Sequence, residues 1–218
     1  MPPVEHLLLN NTFVLSPQRS MYWVEEQTLI LSDLHLGKTG HFRKAGIAVP
    51  QAVFKEDMQR LFSLVQYYQP RRLIVIGDMF HSHGNLEHDF FLKWRNDFAA
   101  LPIHLVKGNH DILSLKWYEK AGIEVFKEDY CINGFGFTHD KEEADCSNHR
   151  YTFSGHLHPG IALPDGRRQT LYFPCFYFGS SHAVLPAFSR FTGIYTIKPA
   201  KGEKAYAIVK EELVGLGY

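Results

Sequence analysis

The sequence predicts an α/β fold of two packed mixed β-sheets flanked by helices, and three observations carry that expectation. Between residues 28 and 106, apolar runs of strand length alternate with stretches of helical periodicity, the order that builds a largely parallel sheet through right-handed crossovers. Beyond residue 121 the chain turns strand-rich, so a second sheet follows. No linker-like tract, repeat or low-complexity segment separates the halves, and residues 1–218 read as one domain with two sheets face to face.

Taken in order, residues 7–9, 12–15 and 28–31 are short apolar runs separated by turn-formers such as Asn10-Asn11 and Ser16-Pro17, a set of short strands. Across 51–68, apolar residues recur at Val53, Met58, Leu61, Phe62, Leu64 and Val65, near a 3.6-residue period, after Pro50 at a favoured helix start. That is an amphipathic helix. The unbroken apolar run 73–76 fits a strand buried on both faces. A second helix over 86–98 precedes a strand at 103–106, and a third helix spans 113–121. The strand-rich remainder offers 124–126, 135–137, 151–153, 171–173, 193–197 and 205–209.

Composition narrows the class. With 218 residues and 45% hydrophobic content the chain can bury a core. Lys plus Arg and Asp plus Glu balance at 23 each, so no global field attracts a polyanion or a membrane; a nucleic acid would have to be met by a local patch. Three scattered cysteines, Cys131, Cys146 and Cys175, fit buried thiols in a reducing, cytoplasmic compartment. No basic segment leads an apolar stretch at the start, and no run approaches the roughly 18 apolar residues of a membrane span.

Chemistry gathers where the strands end, the usual place for ligands in α/β sheets. After 29–31 come Ser32-Asp33-Leu34-His35, where the i, i+2 spacing of an extended segment puts carboxylate and imidazole on one side. Gly77-Asp78 follows 73–76, Gly108-Asn109-His110-Asp111 follows 103–106, His139-Asp140 follows 135–138, and Gly155-His156-Leu157-His158 follows 151–154. Oxygen and nitrogen donors without thiolates suit Mn, Fe, Zn, Ni or Co rather than a structural thiolate-zinc site. A glycine before Asp78, Asn109 and His156 fits a backbone turning sharply to present a ligand.

These five clusters, in this order, resemble the calcineurin-like metallophosphoesterase superfamily, whose pattern is DxH, GD, GNHD/E, a lone His and GHxH. The resemblance spans Asp33 to His158. It implies a four-layer αββα metallophosphoesterase sandwich with two divalent ions, Mn2+ foremost. Asp33, His35, Asp78 and His158 would hold one ion, and Asp78, Asn109, His139 and His156 the other, with Asp78 bridging. Two carboxylates against four positive charges leave surplus charge for a hydroxide and a phosphate ester. His110 matches the catalytic histidine, expected to protonate the leaving oxygen or stabilise developing charge. One departure is Asp140, where the pattern usually has Gly.

A narrower resemblance rests on Ser32-Asp33-Leu34-His35-Leu36-Gly37-Lys38, then Phe42-Arg43-Lys44-Ala45-Gly46-Ile47, Pro50, Leu185-Pro186-Ala187-Phe188 and Phe191-Thr192-Gly193. This is similar to the bacterial ligase-associated DNA damage response endonucleases, metal-dependent phosphodiesterases that work on DNA beside a ligase and a helicase.

Each feature has a plainer account. Capping residues and satisfied core histidines would explain any one cluster alone, and His110 could be a helix cap or be oriented by Asp111. His81 and His83 are either pocket lining or a solvated loop. Lys38, Arg43 and Lys44 either hold phosphates of a polymer or form a solvated basic face. The aromatic run 172–178 either stacks bases or fills a core. The leading expectation is in-line hydrolysis of a phosphodiester, in DNA, by a metal-activated hydroxide. Its alternatives are a phosphodiesterase or phosphatase acting on small nucleotides and a non-catalytic metal-binding module.

Overall fold

The computed structural model of the chain describes residues 3–50, 52–81, 86–143, 150–164 and 169–217. Two expectations, pocket lining by His83 and burial of Cys146, fall outside the described residues.

The first sheet has seven strands in chain order: β1 (Val4–Leu8), β2 (Asn11–Ser16), β3 (Ser20–Trp23), β4 (Thr28–Ser32), β5 (Arg72–Ile76), β6 (Ile103–Val106) and β7 (Ile123–Phe126). The first four form an antiparallel meander, and β4 to β7 run parallel. Between the parallel strands lie α1 (Lys38–Lys44), α2 (Ala52–Tyr68), α3 (Leu86–Asp97) and α4 (Leu115–Lys120). Residues 124–126, expected in the second sheet, belong instead to β7 at the edge of the first, paired Ile103↔Ile123 through Val106↔Phe126. The short α4 supplies one more crossover, which carries the chain back alongside β6.

The second sheet is mixed and nine-stranded, made of β8 (Asp129–Ile132), β9 (Phe135–Thr138), β10 (Tyr151–Ser154), β11 (Pro159–Pro164), β12 (Thr170–Phe178), β13 (His182–Val184), β14 (Tyr195–Thr196), β15 (Lys204–Val209) and β16 (Glu212–Gly217). Its main path runs β14-β11-β12-β13-β10-β9-β8, with β15 and β16 continuing from β12. The strand expected at 193–197 shrinks to the exposed two-residue β14.

Alternation along the strands sorts the core. In β4 and β5, Leu29, Leu31, Leu73 and Val75 meet Leu61, Leu64 and Val65 of α2, Phe91 and Trp94 of α3 and Tyr118 of α4. The intervening Ile30, Ile74 and Ile76 point the other way, into a layer shared with Phe13 and Trp23 and with Phe135, Phe137, Phe153 and Phe176 of the second sheet. Strands covered on both faces therefore read as continuous apolar runs. Phe153 shows what holds the sheets together: its ring centroid lies 5.1 Å from Phe13, 5.7 Å from Phe135 and 5.6 Å from Phe137. Emptying such a site to alanine costs about 3–5 kcal/mol.

The aromatic run 172–178 resolves mostly as core. Phe176 and Phe178 fill the layer between the sheets, Cys175 and the alanines Ala205 and Ala207 line the opposite face of the second sheet, and Tyr172 is exposed. Cys175 is buried as expected, but Cys131 is exposed, because it lies on the edge strand β8. Among the described residues no helix is long and apolar enough to cross a membrane.

Candidate metal centre

Strands β4, β5 and β6 end side by side at Ser32, Ile76 and Val106, and β9 and β10 end at Thr138 and Ser154. Past its last residue, β4 stays zipped to the segment leaving β5. The N–H of Asp33 donates to the Gly77 carbonyl (3.1 Å), that of His35 to Asp78 (2.8 Å), that of Leu36 to Met79 (3.0 Å) and that of His81 back to Leu36 (2.7 Å). This extension sets the two aspartates in neighbouring positions. It is not an extended strand, as the i, i+2 spacing suggested. Asp33 and His35 have φ of 52° and 49°, and Asp78, His156 and His158 have 47°, 64° and 51°, all left-handed. A non-glycine residue there carries strain of about 1–2 kcal/mol, which persists only where the surroundings impose it. The kinks aim both side chains inward, which the flat pleat would not have done.

Two groups result. Asp33, His35 and His158 present ligand atoms within 4.8 Å of one another, and so do Asp78, His139 and His156. In the first, His158 Nε2 lies 3.4 Å from Asp33 Oδ1. In the second, His139 Nε2 lies 3.5 Å from Asp78 Oδ1, 3.0 Å from Asn109 Oδ1 and 3.1 Å from His156 Nδ1. Asp78 faces both groups, since its other oxygen, Oδ2, lies 3.9 Å from His35 Nε2. The seven ligand candidates of the sequence reading, Asp33, His35, Asp78, Asn109, His139, His156 and His158, are brought together here.

The residues present fit a cation. Both ring nitrogens of His35 and Nδ1 of His139 are buried without a hydrogen-bond partner, a costly state for a polar atom that no ligand satisfies. Burial, opposed by Asp33 and reinforced by Lys38, His158 and His110, pulls the His35 imidazole down to about 2, so its lone pair is free. Burial alone would raise the Asp33 carboxyl. The hydrogen bond and charge of His158, with His139 and His35, hold it below its ordinary value. Nitrogen and carboxylate lone pairs pointed at one another are an arrangement that divalent charge relieves.

Close approach explains the neighbouring glycines better than turning does. A Cβ on Gly77 would sit 1.8 Å from His139 Nδ1, one on Gly108 2.3 Å from Asp78 Oδ1, and one on Gly155 2.6 Å from Asp33 Oδ2. Of the three only Gly77 has a left-handed φ, 71°.

His110 is half-buried beside the first group, its ring centroid 5.4 Å from that of His35 and 4.5 Å from that of His81. The half-buried His81 thus packs beside His35 and His110, and burial, with the charges of His110, Lys38 and His41, pulls it down to about 4. Asp111 does not orient the His110 ring. Its oxygens accept the N–H of Phe80 and of Gly108, each at 2.9 Å, pinning the loops after β5 and β6 together. The His110 N–H donates instead to Asp78 Oδ1 at 2.8 Å. Asp140, in the place usually held by glycine, puts its carboxylate 3.7 Å from His156 Nε2.

The basic candidates divide. Lys38 lies within electrostatic reach of Asp78 and Asp33, although burial dominates and lowers its ammonium. Arg43 is not brought to the cluster: its guanidinium pairs with the buried Glu87 at 2.7 Å and donates to the Val49 carbonyl. Glu87 also accepts from the Gly37 N–H and the Thr39 hydroxyl, so a charge inside the protein claims the arginine. Lys44 is exposed. Sequence reasoning missed Lys107 and Lys127, which line a cleft of about 290 Å³ beside the second group with Asn109, His139, Asp140 and His156. A run into Gly108-Asn109 could have flagged Lys107; nothing in the sequence flags Lys127. A larger cavity of about 1030 Å³ lies between α2 and α3, away from this chemistry.

Residues 27–211 match the family model described as calcineurin-like phosphoesterase. A crystal structure of Pseudomonas putida nuclease MPE superposes with a TM-score of 0.81 at 26% identity, covering 98% of each chain. Yfce, a phosphoesterase from E. coli, gives a TM-score of 0.48 at 14% identity over 87% of this chain and 98% of its own. A protein of unknown function from Aquifex aeolicus, AQ665, gives 0.46 at 16% over 60% and 78%. No curated protein sequence matches.

Proposed function

Since the chain belongs to the calcineurin-like phosphoesterase family and is a hydrolase of phosphate esters, we propose that it is a dinuclear-metal phosphodiesterase that cuts DNA, single-stranded or flapped, during repair. One observation carries the reading: two ligand groups lie on either side of Asp78, whose Oδ1 faces His139 and whose Oδ2 faces His35. The likeness to a nuclease over the whole chain supports a nucleic-acid substrate.

Asp33, His35, Asp78 and His158 would hold one ion and Asp78, Asn109, His139 and His156 the other. Bound there, two divalent ions, Mn2+ foremost, would lower the pKa of a water and neutralise the non-bridging oxygens of the phosphate ester. The chain's own groups do the rest. His110, anchored through its N–H to Asp78 and backed by the His81 ring, donates a proton to the departing oxygen. Lys38 adds positive charge on the side of the first group. Asp111 fixes the loop that carries His110. We place the chain in the cytoplasm, beside a DNA ligase and a helicase, a setting that the buried Cys175 thiol fits.

The test is a divalent-metal screen of the purified chain on an aryl phosphodiester, a cyclic nucleotide, and single-stranded, flapped and duplex DNA. Mn2+-dependent cleavage of the strand and the flap, faster than of the duplex, is the expected result. Cleavage of the cyclic nucleotide alone would move the substrate to small nucleotides. Bound metal without turnover of any substrate would make the protein a binding module. His110→Gln should keep the metals and lower kcat on DNA by roughly 10²–10⁴, with a smaller loss on nitrophenyl esters, which need little protonation.

A further inference from the structure

A second basic site lies at the same end of the first sheet, on the other side of Asp33. Where β3 begins at Ser20, a strap of residues 187–189 takes its place along β4. Ser32 pairs with Ala187, the Phe188 N–H donates to the Ser32 carbonyl (2.8 Å) and the Ser189 N–H to the Asp33 carbonyl (3.1 Å). Two arginines hold the strap from beyond. Arg19, left-handed in the β2–β3 turn, donates to the carbonyls of Ala187 (3.1 Å) and Ser189 (2.8 Å). Arg60, on α2, donates to the Phe188 carbonyl, pairs with Asp57 at 2.8 Å and lies over the Phe188 ring at 4.0 Å.

These arginines also line a pocket of about 370 Å³, together with Arg190, Lys210 and Glu211. Four cations line it with the one carboxylate of Glu211, while Glu56 acts on Arg60 from the adjoining surface and Asp57 is spent on Arg60 and on the Arg190 backbone. In a chain of zero net charge that is a concentrated local excess. Arg60 is only 8% exposed, and its Nε has no hydrogen-bond partner. Arg190 and Lys210 are exposed. Burial, opposed by Asp57 and reinforced by Arg19 and Arg190, brings the Arg60 guanidinium down to about 10, a crowding that an anion would relieve.

We infer that this pocket is a phosphate-binding site, in which Arg190 and Lys210, backed by Arg19 and Arg60, hold a backbone phosphate of the strand being cut at the metal centre. Planar guanidinium forks match phosphate geometry. The strap puts the pocket about two strand spacings from Asp33, roughly 10 Å, within reach of the strand held at the metal centre. This rests on the reading of the chain as a DNA phosphodiesterase, and it replaces Arg43 as the contact that reaches beyond the metals.

The experiment uses the full metal-loaded chain, a hydrolysis-resistant 20-nucleotide thymidine strand with or without a 5′-phosphate, and the variants Arg190→Glu, Arg190→Lys and Lys210→Asn. Asparagine tolerates the left-handed φ of 59° at position 210. Strand binding is read by anisotropy across salt, and turnover on an aryl phosphodiester is read beside it. Arg190→Glu should weaken strand binding roughly tenfold or more and flatten the salt slope by about 0.7 per lost phosphate contact. Arg190→Lys should recover most of it, Lys210→Asn should give a smaller loss, and aryl phosphodiester turnover should stay at the parent value. Equal strand affinity and slope in the parent and Arg190→Glu would overturn the site, as would a parent that binds no strand. An effect confined to the 5′-phosphorylated strand would overturn the backbone assignment in favour of a terminal phosphate. A parent that hydrolyses the aryl ester but cuts no DNA would sink the DNA reading itself, an outcome read separately from the variants.

Discussion

Among the described residues, left-handed backbone at non-glycine positions occurs in the connections between elements and at the ligand-bearing strand ends, and the contrast separates geometry from function. Of the twelve described cases, Leu9, Asn10, Arg19, Gln27, Asn133 and Lys210 sit in tight connections between antiparallel strands, and Gln69 follows α2. The other five, Asp33, His35, Asp78, His156 and His158, sit together at the strand ends. At a two-residue turn such as Leu9-Asn10 or Asn133-Gly134, the twist of the flanking strands demands the conformation, and asparagine or glycine supplies it at little cost. At the strand ends glycine would serve the backbone better still. A carboxylate or an imidazole kept there is kept for its side chain.

The sharpest way to break that contrast is Asp78→Gly. Activity on an aryl phosphodiester should fall by at least about 10³-fold with loss of metal at both groups, while the metal-free protein gains roughly 1–2 kcal/mol from a relaxed backbone and a removed buried carboxylate. Elemental analysis and calorimetry of the stripped protein check both halves, and a stripped variant less stable than its parent would mean that no strain is stored at this position. Next in size is Gly155→Ala, whose Cβ would meet Asp33 Oδ2 at 2.6 Å and the Ile76 carbonyl at 2.9 Å. Metal affinity should drop about 10- to 100-fold with about 1–3 kcal/mol of lost stability. Gly134→Ala in a hairpin, with φ 83° and nothing nearer than 3.6 Å, should cost about 1 kcal/mol and no metal.

A third test sets a buried histidine outside the centre against those within it. His6 stacks on Phe178 at 3.9 Å and shares a hydrogen bond with the Tyr206 hydroxyl at 3.0 Å. Burial, with Lys204 adding to it, pulls it from 6.5 to about 4. The unfolded chain takes up this proton first, so the contribution of the neutral His6 to stability is full above about 6.5, falls as pH drops through that window and is gone below about 4. The loss should be roughly 1–3 kcal/mol, and His6→Phe should flatten that part of the pH profile in thermal melts. Smallest is Leu9→Gly in the β1–β2 turn, expected to add about 0.5–1 kcal/mol in denaturant melts without touching activity.

What the sequence made legible follows the same division. The ligand clusters stand out because each directly follows an apolar run, and the run betrays a strand while the cluster betrays its end. The residues that build the strap and the basic pocket stand at 19, 60, 190 and 210, on four separate segments, and only the tertiary fold gathers them. The fate of Arg43 was hidden for the same reason, since Glu87 lies 44 residues away. Elements of two to four residues, such as β3, β13 and β14, are too short for periodicity to register. Residues 124–126 carry a strand pattern that says nothing about which sheet they join.

The segment after β10 ties both ligand groups to a single moment in the life of the chain. His156 completes one group and His158 the other, and the His156 N–H reaches back across 123 residues to the Asp33 carboxylate. During synthesis, Asp33, His35, Asp78, Asn109 and His139 all leave the ribosome before this segment exists, so a growing chain holds two incomplete sites and no complete one. Long-range closure of this kind is slow compared with helix and hairpin formation. Both ligand groups are then completed together, so a nascent, partly folded chain has no half-built centre able to act on a phosphate ester.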